Sequence, residues 1–255
     1  MRIRVLGCSG GIGGGRQTTS FLIDDDILLD AGSGVMRLSL EEMAGIANLF
    51  VTHAHLDHIL ALPPLLDSVG VGRAAPLVLH ALPEVIDTLK AHLFNWHLWP
   101  DFARVPTADK PYLAYAPLAV GAPVPMAGRT ITAIPAKHGR PAVGYLLRGQ
   151  RASLLFSGDT GSHPDLIAIA NATDDLEHLI VETSFANDLK HIADVSGHYC
   201  PATLLPDLAQ LKPGVSVWIT HLKPGGEDAI MAELASVALP CGSPRALVPD
   251  QVFDL

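Results

Sequence analysis

Charge is scarce in this chain of 255 residues: Asp, Glu, Lys and Arg together make up 17%, and aromatic residues only 5%. Cysteine is scarcer. Cys8, Cys200 and Cys241 are odd in number and far apart, so no disulfide framework follows and a reducing cytoplasm is the simplest setting. The few residues ahead of Val5-Leu6-Gly7-Cys8 cannot supply the apolar stretch of a lipoprotein leader, and Cys8 reads as the end of a first strand. A membrane-spanning run is also missing. The longest uncharged stretch, Pro111 to Gly128, carries Pro111, Pro117, Pro123 and Pro125 and makes a poor spanning helix. Basic residues are outnumbered, with 17 Lys and Arg against 26 Asp and Glu and a net charge of −9. An extended nucleic-acid surface is therefore not expected, although a small anion in a locally positive site remains open.

Apolar residues, by contrast, reach 49%, with a mean hydropathy of +0.31. That excludes a disordered chain and implies a large core, with some surface left for contact in a homodimer. No shift of composition marks a boundary, so residues 1–255 are read as a single domain. Strand-like runs rich in Ile, Val, Leu and Thr cover Arg2–Cys8, Thr18–Ile23, Ile27–Asp30 and Asn48–Thr52 in the first part. Thr130–Ala136, Val143–Leu147, Ser153–Ser157, His178–Glu182 and Val215–Thr220 follow in the second. Helices are expected at Pro83–Phe94, Pro164–Ala172 and Glu227–Val237, with another starting near Pro63-Pro64. Pro201–Leu211 also reads helical, with Pro206 kinking it or forcing a late start. Tyr112–Gly128 reads as a loop between two β-then-α halves. The expectation is an α/β fold of two mixed sheets with helices outside.

Ser9-Gly10-Gly11-Ile12-Gly13-Gly14-Gly15 invites a nucleotide-loop reading, yet no register gives G-x-G-x-x-G and no Gly-Lys-Ser/Thr follows. It reads as a turn that lets backbone approach closely. Histidine is the unusual abundance, at 12 residues. In Thr52-His53-Ala54-His55-Leu56-Asp57-His58, three imidazoles and a carboxylate leave a strand end together. They cannot all enter a core without partners, and neutral imidazole and carboxylate are natural zinc ligands. Further ligand types follow other strands: His138 after Thr130–Ala136, Asp159 after Ser153–Ser157, and His221 after Val215–Thr220. His80, His92, His97, His163, His178 and His191 belong to no such pattern.

His53-x-His55-x-Asp57-His58 with His138, Asp159 and His221 resembles the metallo-β-lactamase-fold hydrolases, over essentially the whole chain. The resemblance implies a four-layer αββα sandwich. It also implies two Zn²⁺ ions, with Mn²⁺ or Fe as substitutes. His53, His55 and His138 would hold one metal, Asp57, His58 and His221 the other, and Asp159 would bridge. Leu28-Leu29-Asp30-Ala31-Gly32 is similar to the family's early aspartate motif, with Asp30 as an organiser behind the ligands. Ser196-Gly197-His198-Tyr199-Cys200-Pro201 resembles the phosphate-contacting histidine of its phosphodiesterase branches. Phe94-Asn95-Trp96, Trp99-Pro100-Asp101-Phe102 and Thr220-His221-Leu222-Lys223-Pro224 resemble the class II cyclic nucleotide phosphodiesterases. Ala61 and Pro63-Pro64 depart from that class. The implied activity is cleavage of a small anionic phosphodiester, a 3′,5′-cyclic nucleotide such as cAMP or cGMP, with Asp57 and His198 as catalytic groups. Glu182 would orient His198. Trp96, Trp99 and Phe102 would either stack on a base or serve as core or dimer contacts. The alternatives are a transfer-RNA 3′-end endonuclease, a lactone or thioester hydrolase, and a non-catalytic metal-binding module.

Overall fold

The strands assemble into two mixed seven-stranded sheets in the computed structural model, which describes residues 1–255. Across the first sheet the order is Val252–Asp254, Arg2–Gly7, Ser20–Ile23, Ile27–Leu29, Asn48–Phe50, Leu77–Ala81 and Leu113–Pro117. Across the second it is Arg245–Ala246, Ser216–Thr220, Leu176–Glu182, Ser153–Phe156, Val143–Arg148, Arg129–Pro135 and Pro123–Met126.

Successive side chains of a strand point to opposite faces, and here both faces are buried. Ile27 and Leu29 join Phe50, Phe156, Ile180 and Trp218 in a core between the sheets. Leu28 and Leu49 face outward onto helices Leu62–Val69 and Pro83–His92. On the far side, Leu155, Leu179, Val217 and Ile219 pack against helices Pro164–Ala172, Pro201–Leu208 and Glu227–Leu234. The result is the αββα sandwich, and double burial explains strands that read as unbroken apolar runs.

Two expectations need correcting. Tyr112–Gly128 is not a loop throughout, because it contains the strands Leu113–Pro117 and Pro123–Met126. Both lie at sheet edges, where a proline costs no ladder hydrogen bond. Helix Pro201–Leu208 runs through Pro206 and ends two residues later. Ala202, whose carbonyl Pro206 leaves without a donor, is exposed to water. Strand Leu77–Ala81 was not among the expected elements. Its His80 is held by stacking on Phe50 at 4.3 Å and by Asn48 Oδ1 at 3.0 Å.

Strand direction positions the site. Ile27–Leu29 and Asn48–Phe50 are parallel and end at one edge. Ser153–Phe156, Leu176–Glu182 and Ser216–Thr220 are parallel and do the same. Arg129–Pro135, two antiparallel pairings away from Ser153–Phe156, runs with it. Ligand sites of open α/β sheets form outside such carboxyl ends. The two sheets are tied at this edge by Val143 N–H donating to Thr52 O at 3.1 Å and by Tyr145 Oη donating to Val51 O at 2.7 Å. Tyr145→Phe leaves that buried carbonyl short of a donor and should cost about 1–3 kcal/mol. A urea midpoint lowered at constant m value is the expected result; an unchanged midpoint would show that the bond contributes nothing.

Candidate metal centre

The first histidine run changes conformation halfway along. The chain bends at Thr52 and reaches His55 in an extended conformation at φ −70° and ψ 146°, and His53 and His55 turn their rings to one donor set. The chain then closes into the single turn Leu56–Ile59, which carries Asp57 and His58 away from them. One short segment thereby serves two neighbouring positions.

The later residues arrive from the second sheet. His53 Nε2 lies 3.0 Å from His55 Nδ1, and His138 Nε2 lies 3.2 Å from that same atom. Asp159 Oδ2 sits among the imidazoles, 3.6 Å from His53 Nε2 and 3.3 Å from both His58 Nε2 and His221 Nε2. Asp57 Oδ2 is 3.1 Å from His221 Nε2. Two donor sets hold the seven residues, His53, His55, His138 and Asp159 in one and Asp57, His58 and His221 in the other, with the donor atoms of each set within 4.8 Å of one another; Asp159 and His221 form a third such group with His198. All seven sequence-derived positions meet at one place.

Behind the imidazoles, two buried carboxylates act through hydroxyls. Asp30 accepts Thr52 N–H and Thr52 Oγ1–H, each at 2.8 Å, and His58 Nδ1–H at 2.7 Å. With its own proton committed to Asp30, Thr52 Oγ1 accepts from His53 Nδ1 at 3.0 Å. In the other half, Glu182 accepts Thr160 N–H at 3.0 Å, Ser184 Oγ–H at 3.1 Å and His198 Nδ1–H at 2.6 Å. Ser184 Oγ in turn accepts from His221 Nδ1 at 2.8 Å. His138 donates Nδ1–H to Gly197 O at 3.0 Å. Of the ligand candidates, His53, His58, His138 and His221 therefore spend Nδ1 on the protein and leave Nε2 for the donor sets, the tautomer a metal ligand requires. His58 Nε2 is buried with no hydrogen-bond partner, a costly state unless a cation faces it. The donor chemistry fits divalent metal in both sets.

Electrostatics agree. Burial, then the neighbouring His58 imidazole, holds His53 well below the usual histidine range, and burial lowers His55 and His138 in the same direction. Burial opposes ionisation of Asp159, yet His221 and His58 overcome it and hold the carboxyl well below its ordinary value. Burial likewise disfavours the imidazolium of His198, but Glu182 outweighs it and raises that pKa. Burial also disfavours the imidazolium of His58, but the Asp159 and Asp30 carboxylates outweigh it and raise that pKa well above the usual range, so the first donor set is held toward neutral imidazole while His58, between two carboxylates, is not.

The backbone pays locally for this convergence. Asp30 and His221 sit at φ +55° and +61°, a left-handed region that costs a non-glycine residue about 1–2 kcal/mol. Gly10 allows the glycine-rich turn to lie against His221, where a Cβ would come 2.5 Å from the His221 carbonyl oxygen. Gly197, at φ +73°, ends helix Lys190–Ser196 and brings its carbonyl to His138. Ser184, Thr160 and the Gly197 carbonyl had no sequence signal, since each acquires its role only when strands distant in the chain are neighbours. Of the aromatic candidates, Phe102 is a core residue beside Phe94 and Tyr112 and is unavailable for stacking on a base. Trp99 is half-buried against the same core, and Trp96 is exposed.

Comparison with known proteins agrees with this geometry. The chain is 28% identical to a probable 3′,5′-cyclic-nucleotide phosphodiesterase of Yersinia pestis, over 90% of this chain and 82% of that protein. It is 30% identical to a ribonuclease Z of Pyrobaculum calidifontis, over 89% of this chain and 86% of the relative. The crystal structure of unliganded yeast PDE1 superposes with a TM-score of 0.82 at 19% identity, covering 100% of this chain and 99% of that one, a likeness of fold. Residues 26–222, from strand Ile27–Leu29 past His221, match the model of the β-lactamase superfamily domain, and the chain belongs to that family.

Proposed function

We propose that the protein hydrolyses a small phosphodiester, a 3′,5′-cyclic nucleotide, to the 5′-monophosphate. Two zinc ions would be held, one by His53, His55 and His138, the other by Asp57, His58 and His221, with Asp159 shared; manganese or iron also suits these donors. Such ions would supply Lewis acidity toward the phosphoryl oxygens and lower the pKa of water to roughly 7.

His198 is the observation that carries the reading. Both donor sets are complete without it, its Nδ1 is committed to Glu182, and its ring lies 4.9 Å from that of His138 and 5.3 Å from that of His221. Its Nε2–H is thus free to donate to a substrate oxygen. Asp57, only partly buried, accepts a hydrogen bond from the incoming water and aims it at phosphorus. Water, releasing one proton to solvent, attacks in line, the bond from phosphorus to O3′ breaks, and O3′ takes its proton from His198, which is reprotonated from solvent. Glu182 keeps that imidazole protonated until the proton is needed.

Cleavage of precursor transfer RNA is the second reading, favoured by the ribonuclease Z relative. Against it stand the net charge of −9 and a 94–128 segment whose cations are Arg104 and Lys110, with Arg104 paired to Asp101 at 3.4 Å. Zinc-loaded protein should release phosphate from cyclic AMP or cyclic GMP in a phosphatase-coupled assay faster than it cuts a precursor transfer RNA, with only modest salt dependence. Efficient RNA cleavage with a steep salt slope and inert cyclic nucleotides would establish the second reading instead.

A further inference from the structure

A cavity of about 360 Å³ opens beside His55, within the size range of small-molecule sites. One wall is a stripe of helix Pro83–His92. Glu84, Thr88 and His92 are spaced by four residues and so lie on one face, spanning about 12 Å at 1.5 Å per residue. Val85 of the same helix also lines the cavity, as does Arg140, two residues beyond His138. Glu84, His92 and Arg140 are exposed and form no ion pair. The cavity therefore offers an uncommitted guanidinium and an uncommitted carboxylate, and His55 joins its mouth to the first donor set.

A cyclic nucleotide with its phosphate at the donor sets must send its sugar and base somewhere, and this cavity adjoins them. The charges discriminate between bases. Guanine presents the acceptors O6 and N7 on one edge, which match an arginine fork. Its N1–H and N2–H₂ are adjacent donors that match a carboxylate. Adenine offers a carboxylate only its N6 amino group and an arginine only single acceptors.

Building on the phosphodiesterase reading, we infer that this cavity is the base pocket, and that Arg140 and Glu84 set a preference for guanine over adenine. Equilibrium binding tests this without turnover. By calorimetry, 5′-GMP should bind the protein about tenfold or more tightly than 5′-AMP, the scale of one good bidentate contact. Glu84→Gln and Arg140→Ala, both at exposed positions that fold does not depend on, should each bring that ratio toward one. Equal binding of the two nucleotides by the unsubstituted protein, or a ratio unmoved in both variants, overturns the inference. Hydrolysis of bis(4-nitrophenyl) phosphate, a diester with no base, separates the two ideas. If that diester is cleaved while guanine is not preferred, the pocket assignment falls and the phosphodiesterase reading stands. If guanine is preferred but no diester is cleaved, the reading falls and the pocket remains a nucleotide site.

Discussion

Asp159→Ala should empty both donor sets at once. The Oδ2 of this residue lies within 3.6 Å of His53, His58 and His221, so one carboxylate faces both groups of imidazoles. Without it, each set would consist of histidines with at most Asp57 as the anion, and the positive charge of two dications would be poorly balanced. Metal content by elemental analysis should drop from two ions per chain to fewer than one. Phosphodiester turnover should fall at least about 10³-fold, the loss that can follow removal of one electrostatic stabiliser alone. The loss of a single ion, with the other retained at normal affinity, would mean that Asp159 serves one set and is not shared.

His198→Ala should behave in the opposite way. Both ions should stay, while turnover drops on the order of 10² to 10⁴-fold, as on removal of a general acid. The drop should appear in kcat more than in KM, because the contact strengthens as charge develops on the leaving oxygen. Some stability will go as well. Glu182 is fully buried and keeps Thr160 N–H and Ser184 Oγ–H as donors but loses His198, a cost of about 1–3 kcal/mol. His198→Gln, which retains an amide donor, distinguishes lost folding from a lost proton: a well-folded His198→Gln that remains slow supports the proton-donor role. A variant short of one metal would make His198 a ligand, and full activity would remove it from the chemistry.

The donor sets were legible because metal chemistry constrains residue type as well as position. His53, His55, Asp57 and His58 crowd one strand end, and the remaining ligand types recur at other strand ends, which burial alone does not produce. The layers were legible for a related reason, since runs such as Leu154–Phe156 and Leu179–Val181 are too apolar to have a solvent face. The supporting residues were not. Ser184 looks like any serine after a strand, and it links His221 to Glu182 only because Ser216–Thr220 is the parallel neighbour of Leu176–Glu182. Prolines misled at 113–126, where a residue that usually interrupts strands sits on edges that tolerate it. His92 appeared ordinary in sequence because its companions in the cavity come from Glu84, eight residues earlier, and from Arg140 across the fold.

Phosphorus NMR of cyclic GMP incubated with the zinc-loaded protein in ¹⁸O-enriched water tests the central claim most directly. Attack of water at phosphorus with rupture of the bond to O3′ requires 5′-GMP carrying one ¹⁸O on its phosphate. Appearance of that single product, abolished by Asp159→Ala, is the expected result. An unchanged cyclic phosphate signal in the presence of two bound metals, or label recovered in the sugar, would contradict it.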